Sequence, residues 1–163
     1  MGDDVDDARL VMWVHGHCGR FQTTTGFEVE WLGYYVRAKA RVASDVWVHY
    51  SVPTLLEAGE RSVENPVLAH DVVVRLRTWG KGHIAEAHLW SGSDQIAEIT
   101  KRVTSPHGAQ SRGGTDDPIL TVPLGLPIAA ETRVNDAFGV SLRLAAEEPR
   151  DALAIAAVGV QLR

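Results

Sequence analysis

Tyr34-Tyr35-Val36-Arg37-Ala38-Lys39-Ala40-Arg41-Val42 is the stretch whose reading decides the fold class. Tyr34, Val36, Ala38, Ala40 and Val42 share one parity, while Tyr35, Arg37, Lys39 and Arg41 take the other. Side chains on a strand alternate between faces, so this pattern describes an antiparallel strand with one face buried and one solvated. The same alternation sets Val72, Val74 and Leu76 against Asp71, Arg75 and Arg77 in the segment running to Trp79. It also sets Val140, Leu142 and Leu144 against Ser141 and Arg143. Further strands are predicted at Leu10–His15, Phe27–Trp31, Val46–Val52, His83–Trp90, Ile96–Val103, Ile119–Val122 and Ala152–Leu162. Turn signals separate them: Gly16, Gly19, Gly26, Gly33, Gly80-Lys81-Gly82 and Ser91-Gly92-Ser93-Asp94. Residues 67–103 read as three strands joined by short hairpins.

Helix has little room. Leu55–Val63 is the best candidate, but Gly59 interrupts it and Pro53 and Pro66 bracket it. Ala152–Ala157 is rich in alanine, yet Val158-Gly159-Val160 continues it as a strand. About nine or ten short strands with frequent turns predict an all-β, single-domain antiparallel β-sandwich of jelly-roll type; a closed β-barrel is the alternative. Residues 1–9 read as a flexible acidic N-terminus, and residues 10–163 as the domain. Within it, residues 104–118 (TSPHGAQSRGGTDDP) form a long polar loop whose composition favours disorder or a surface excursion over a lid.

The 163 residues are 45% hydrophobic and 23% charged, which suits one globular domain that folds without a metal or a disulfide. One cysteine, Cys18, leaves no internal disulfide and points to a reducing, cytoplasmic setting. The acidic opening Met1-Gly2-Asp3-Asp4 resembles no signal peptide, and no apolar run is long enough to span a membrane. A net charge of -5 argues against a nucleic-acid partner.

Candidate chemistry comes from three pairs: Trp13-Val14-His15, Trp47-Val48-His49 and, reversed, His88-Leu89-Trp90. Residues two apart on a strand share a face, so each pair sets an indole beside an imidazole. Glu86 has the parity of His88 and Trp90. Three readings compete. The pairs can fill an all-β core with their N–H groups satisfied by carbonyls. They can line a pocket for a small organic molecule, with Trp13, Trp47 and Trp90 stacking on it and His49, His15, Glu86 and His88 moving protons. Thirdly, the histidines can bind a metal, although no spaced ligand set is traceable and His15-Gly16-His17-Cys18 lies at a strand end. The expectation is therefore one shared cavity for the six Trp and His residues, with no metal and no cofactor.

Other features read as structure. Gly80-Lys81-Gly82 is too short for a phosphate loop, and no Gly-x-Ser-x-Gly elbow is present. Cys18 has His15 and His17 nearby, but a lone cysteine is more often an inert thiol. Arg37, Lys39 and Arg41 can meet Arg75 and Arg77 across strands; a solvated face balanced by acids is the simpler account.

Trp13-Val14-His15-Gly16, Trp47-Val48-His49-Tyr50-Ser51-Val52-Pro53-Thr54 and Gly139-Val140-Ser141-Leu142 resemble an uncharacterised family of small bacterial and fungal β-sandwich proteins. That family opens on a WVHG-like strand and carries a W-x-H-x-x-x-P-T strand. Its closing GxGxS element is matched in part by Ala137-Phe138-Gly139-Val140-Ser141. The resemblance implies the sandwich fold, draws attention to His15 and His49, and implies no activity.

Function narrows to a small-molecule-binding sandwich, with cofactor-independent cyclisation, isomerisation or dehydration as the chemistry such a site would support. The alternatives are a carbohydrate-binding, lectin-like module and a non-catalytic structural protein. Four of the five Trp residues fall within or at the end of apolar strands, which predicts interior positions rather than a flat lectin face. A monomer or homodimer is expected.

Overall fold

A computed structural model describes residues 10–53, 68–106, 118–129, 132 and 137–163. Eleven strands run through them: β1 (Leu10–His15), β2 (Arg20–Phe21), β3 (Phe27–Leu32), β4 (Tyr35–Ala40), β5 (Ser44–Val52), β6 (Ala69–Trp79), β7 (His83–Ser91), β8 (Asp94–Val103), β9 (Leu120–Pro123), β10 (Phe138–Ala146) and β11 (Ala152–Leu162). A single 3-10 turn, Gly16–Cys18, follows β1. The strands form two antiparallel sheets and no closed barrel, so the sandwich expectation holds and the barrel alternative falls. Sequence patterning passes over β2, because two residues are too few to show a period. The candidate helix at residues 55–63, residues 1–9 and most of the polar loop at 104–118 lie outside the described residues.

One sheet has the order β3-β4-β11-β6-β9, with β1 also on β11; the other has β2-β5-β10-β7-β8. β4 pairs with Ala152–Ile155 and β1 with the rest of β11, from Ala157 to Leu162. Where β1 ends, a Cβ on Gly16 would stand 2.0 Å from the Ile155 carbonyl oxygen, so only glycine lets the chain turn away so close to β11.

The core lies between the sheets. Val48 and Tyr50 of β5, Val140 and Leu142 of β10 and Leu89 of β7 belong to one buried cluster with Val72, Val74 and Leu76 of β6 and Ile155, Val158 and Val160 of β11. The alternation at Val72–Leu76 and Val140–Leu144 puts those residues on inward parities, which is why the fold class is legible in the chain. No tryptophan belongs to that core: Trp13 is 39% exposed and Trp31 56%. Trp47, Trp79 and Trp90 are half-buried.

Gly80-Lys81-Gly82 departs from the expected hairpin. β6 and β7 belong to different sheets, so this turn carries the chain across the sandwich. The β4–β5 and β10–β11 connections cross in the same way, and Asp151 gathers all three. Its side chain accepts the amides of Lys81 (2.9 Å), Glu147 (3.0 Å) and Glu148 (2.9 Å), and its carbonyl accepts from Ala40 N–H at 2.8 Å. The hairpin between β7 and β8 is as expected. β11 also separates β4 from β6, so the basic rows do not meet directly; Arg37 pairs instead with Glu30 of β3.

Candidate functional site

β5, β10 and β7 lie side by side, and their outward residues fall into rows. His49, Ser141 and His88 occupy one row. Trp47, Arg143 and Glu86 form the row on one side of it, and Ser51, Gly139 and Trp90 the row on the other. β2 extends the middle row with Arg20 beside His49, and β8 extends it with Glu98 beside His88.

This arrangement depends on an irregularity in β7. Ile84 is buried, and under unbroken alternation Glu86, His88 and Trp90 would point inward with it. The register slips between Ile84 and Glu86 on the β8 side, and between their partners Leu144 and Arg143 on the β10 side. Against β10, Ala85 is the extra residue. This β-bulge re-aims the rest of the strand, so Ala87 and Leu89 enter the core while Glu86, His88 and Trp90 face out.

Within the cluster, His49 Nδ1 and Ser141 Oγ are hydrogen-bonded at 2.8 Å. Ser141 is only 6% exposed, whereas His49 is exposed, so the serine serves better as an orienter than as a nucleophile. With Nδ1 held, Nε2 is the ring nitrogen left to meet a ligand. His88 Nε2 donates to Glu86 Oε1 at 2.7 Å. The other oxygen of Glu86 takes Arg143 at 3.0 Å, and Arg143 reaches Asp45 at 3.2 Å. Charge thus alternates along Asp45, Arg143 and Glu86, and the Glu86 carboxylate fixes the His88 imidazole. Trp47 bridges the two histidines: its ring is 4.8 Å from that of His88 and nearly parallel to that of His49 at 6.3 Å. The Trp90 ring lies 6.1 Å beyond His88.

Next to His49 and Ser141 opens a cleft of about 430 Å³, whose walls include Arg20, Cys18, Ser51 and Gly139. That volume falls in the range of small-molecule sites. Tyr50, also in its lining, keeps its hydroxyl buried without a hydrogen-bond partner among the described residues. Burial, and secondarily the nearby Cys18 thiol, holds the Tyr50 phenol well above its ordinary pKa.

Trp47, His49, Glu86, His88 and Trp90 therefore come together, on an outer sheet face rather than in an interior cavity. Trp13 and His15 do not join them. β1 belongs to the opposite sheet, and its core-facing residues are Met12 and Val14. Trp13 lies instead over Gly159, where an added Cβ would be 2.8 Å from its ring. His15 Nδ1 accepts the amide of His17 at 3.1 Å, and His17 Nε2 pairs with the Tyr35 carbonyl at 3.0 Å. The six-residue cavity is corrected to a four-residue aromatic cluster with Glu86. Ser141, Arg143 and Arg20 are the members that sequence reasoning missed. Ser141 and Arg143 were legible as outward residues, but nothing in the chain announces which strand lies between β5 and β7.

Among the described residues, no group of three or more His, Cys, Asp and Glu is placed to hold a metal ion. No described helix is long and apolar enough to cross a membrane. No protein-family model matches the chain, and no curated protein matches it.

Proposed function

We propose that the protein binds a small organic molecule in the cleft beside His49 and acts on it by proton transfer, with no cofactor. The observation that carries this reading is the Ser141–His49 hydrogen bond at the cleft wall, which orients an exposed imidazole toward bound material. Glu86–His88 supplies a second proton-transfer group across Ser141, at roughly 10 Å given two strand spacings. Trp47 and Trp90 stand outside the cleft lining and offer flat apolar faces to an unsaturated or cyclic part of a substrate that extends over the sheet. Isomerisation, cyclisation or dehydration would each draw on a base or acid within hydrogen-bond reach of the proton that moves.

A second reading, a carbohydrate-binding face, draws support from the Trp residues standing outside the core rather than in it. Sugars stack on exposed indoles and hydrogen-bond to neighbouring polar groups; His88 lies beside Trp90, with Gln95 and Glu98 facing the pair from β8.

Ligand-observed NMR separates the two readings. A panel of aromatic and cyclic fragments is screened beside glucose, galactose and N-acetylglucosamine, against wild type, His49→Ala and Trp90→Ala. Fragment binding lost in His49→Ala supports the first reading. Sugar binding lost in Trp90→Ala but kept in His49→Ala replaces it with the second. Binding of neither set rejects both.

A further inference from the structure

The cleft has a charge character opposite to that of the chain. The protein carries a formal net charge of -5, yet no described residue lining the cleft is acidic. Among the described residues of its lining, the charged one is Arg20, from β2. Arg37 is tied to Glu30, Arg102 to Glu147 and Arg143 to Glu86 and Asp45. Arg20 is exposed and makes no ion pair or side-chain hydrogen bond among the described residues. It is also the cross-strand partner of His49, so guanidinium and imidazole stand on adjacent strands. Ser51 and Ser141 add hydroxyls to the same lining. A planar guanidinium whose donors are uncommitted among the described residues, flanked by neutral donors and with no carboxylate among the described lining residues, recognises a planar oxyanion by paired hydrogen bonds.

We propose that the cleft takes a small organic carboxylate, with Arg20 binding the carboxylate and His49 facing the carbon skeleton. This specifies the ligand class of the function proposed above and rests on that reading. An anchored carboxylate fixes the substrate relative to His49 Nε2, which is what proton transfer requires of a bound ligand.

Cys18 supplies the readout. It lines the same cleft, two residues from Arg20, and is the only cysteine in the chain. Iodoacetate is itself a small carboxylate: the Cys18 thiolate forms an S–C bond to its methylene, iodide leaves, and the thiol proton passes to buffer. Iodoacetamide reacts identically without the charge. The ratio of the two rates, in the folded protein relative to the urea-unfolded chain, therefore measures the local preference for an anion independently of how exposed Cys18 is. The expected ratio is about threefold in favour of iodoacetate at low salt, the size of a Coulomb attraction across roughly 7 Å of water. It should fall to about one in Arg20→Gln, survive in Arg20→Lys, and fade as salt is raised. Benzoate should slow the alkylation of Cys18 by iodoacetamide in wild type but not in Arg20→Gln, and benzamide should not slow it.

A ratio indifferent to Arg20→Gln, or protection by benzamide equal to that by benzoate, overturns the proposal. The two readings fail separately. If His49→Ala abolishes fragment binding while the ratio ignores Arg20, the cleft binds ligands without selecting anions, and this inference falls alone. If the ratio follows Arg20 but no fragment depends on His49, the anion site stands and the role of His49 falls.

Discussion

Replacing His49 with alanine separates a working histidine from a structural one. Among the described residues the side chain makes one hydrogen bond, to Ser141 Oγ at 2.8 Å, and stacks loosely on Trp47 at 6.3 Å. A neutral hydrogen bond contributes about 0.5–1.5 kcal/mol net, and leaving a buried partner unsatisfied costs about 1–3 kcal/mol. Here the partner is not stranded. Ser141 is covered from the β5 side by an exposed imidazole, so removing that imidazole admits water to the hydroxyl. The expected loss of stability for His49→Ala is therefore about 1 kcal/mol, at the hydrogen-bond scale rather than the desolvation scale. Ser141→Ala should cost no more, because the exposed His49 ring rehydrates. The double variant should reveal a coupling of about 1 kcal/mol between the two side chains. Urea unfolding followed by far-ultraviolet circular dichroism measures all three without relying on the tryptophan signals that the substitution disturbs. On the same samples, turnover or ligand binding should drop far more than stability; a lost general base costs about two to four orders of magnitude in rate. A His49→Ala protein destabilised by ~3 kcal/mol or more, or one that is stable and binds its ligand unchanged, would refute the assignment.

Asp151→Ala strips a buried carboxylate from three backbone amides and should destabilise by about 3 kcal/mol in the same urea assay, because water can replace only part of three charge-assisted bonds. Asp151→Asn keeps an acceptor for the Glu147 and Glu148 amides but turns an NH2 toward Lys81 N–H, so its loss should be smaller. Leu142→Ala, at a fully buried site in β10, should cost about 2–5 kcal/mol and serves as a core reference. Tyr50→Phe removes a buried hydroxyl with no partner among the described residues, and should leave neutral-pH stability unchanged or raise it by about 1 kcal/mol. Because burial raises the folded-state pKa of Tyr50, its contribution is intact below the unfolded phenol value of about 10 and is lost as pH rises beyond it. Denaturation curves above that pH should therefore fall less steeply for Tyr50→Phe than for wild type; parallel curves would contradict the burial argument.

What the chain determined unaided was its period. Alternation at Val36–Ala40, Val72–Leu76 and Val140–Leu144 assigned each residue to an inner or outer face, because the two-residue repeat of a strand is local and independent of its partners. The same parity grouped Glu86, His88 and Trp90, and it grouped Trp47 with His49. Three outcomes needed the tertiary structure. Strand order seated β10 between β5 and β7, bringing Ser141 and Arg143 into the cluster, and it sent Trp13 and His15 to the other sheet. The bulge at Ala85 turned Glu86, His88 and Trp90 away from the core that Ile84 enters. The crossing at Gly80–Gly82 placed β6 and β7 in different sheets, where local turn chemistry alone suggested a hairpin. Pairing in a sheet is non-local: a strand's neighbour is selected by the summed packing and hydrogen bonding of segments far apart in the chain, and no local pattern encodes that sum.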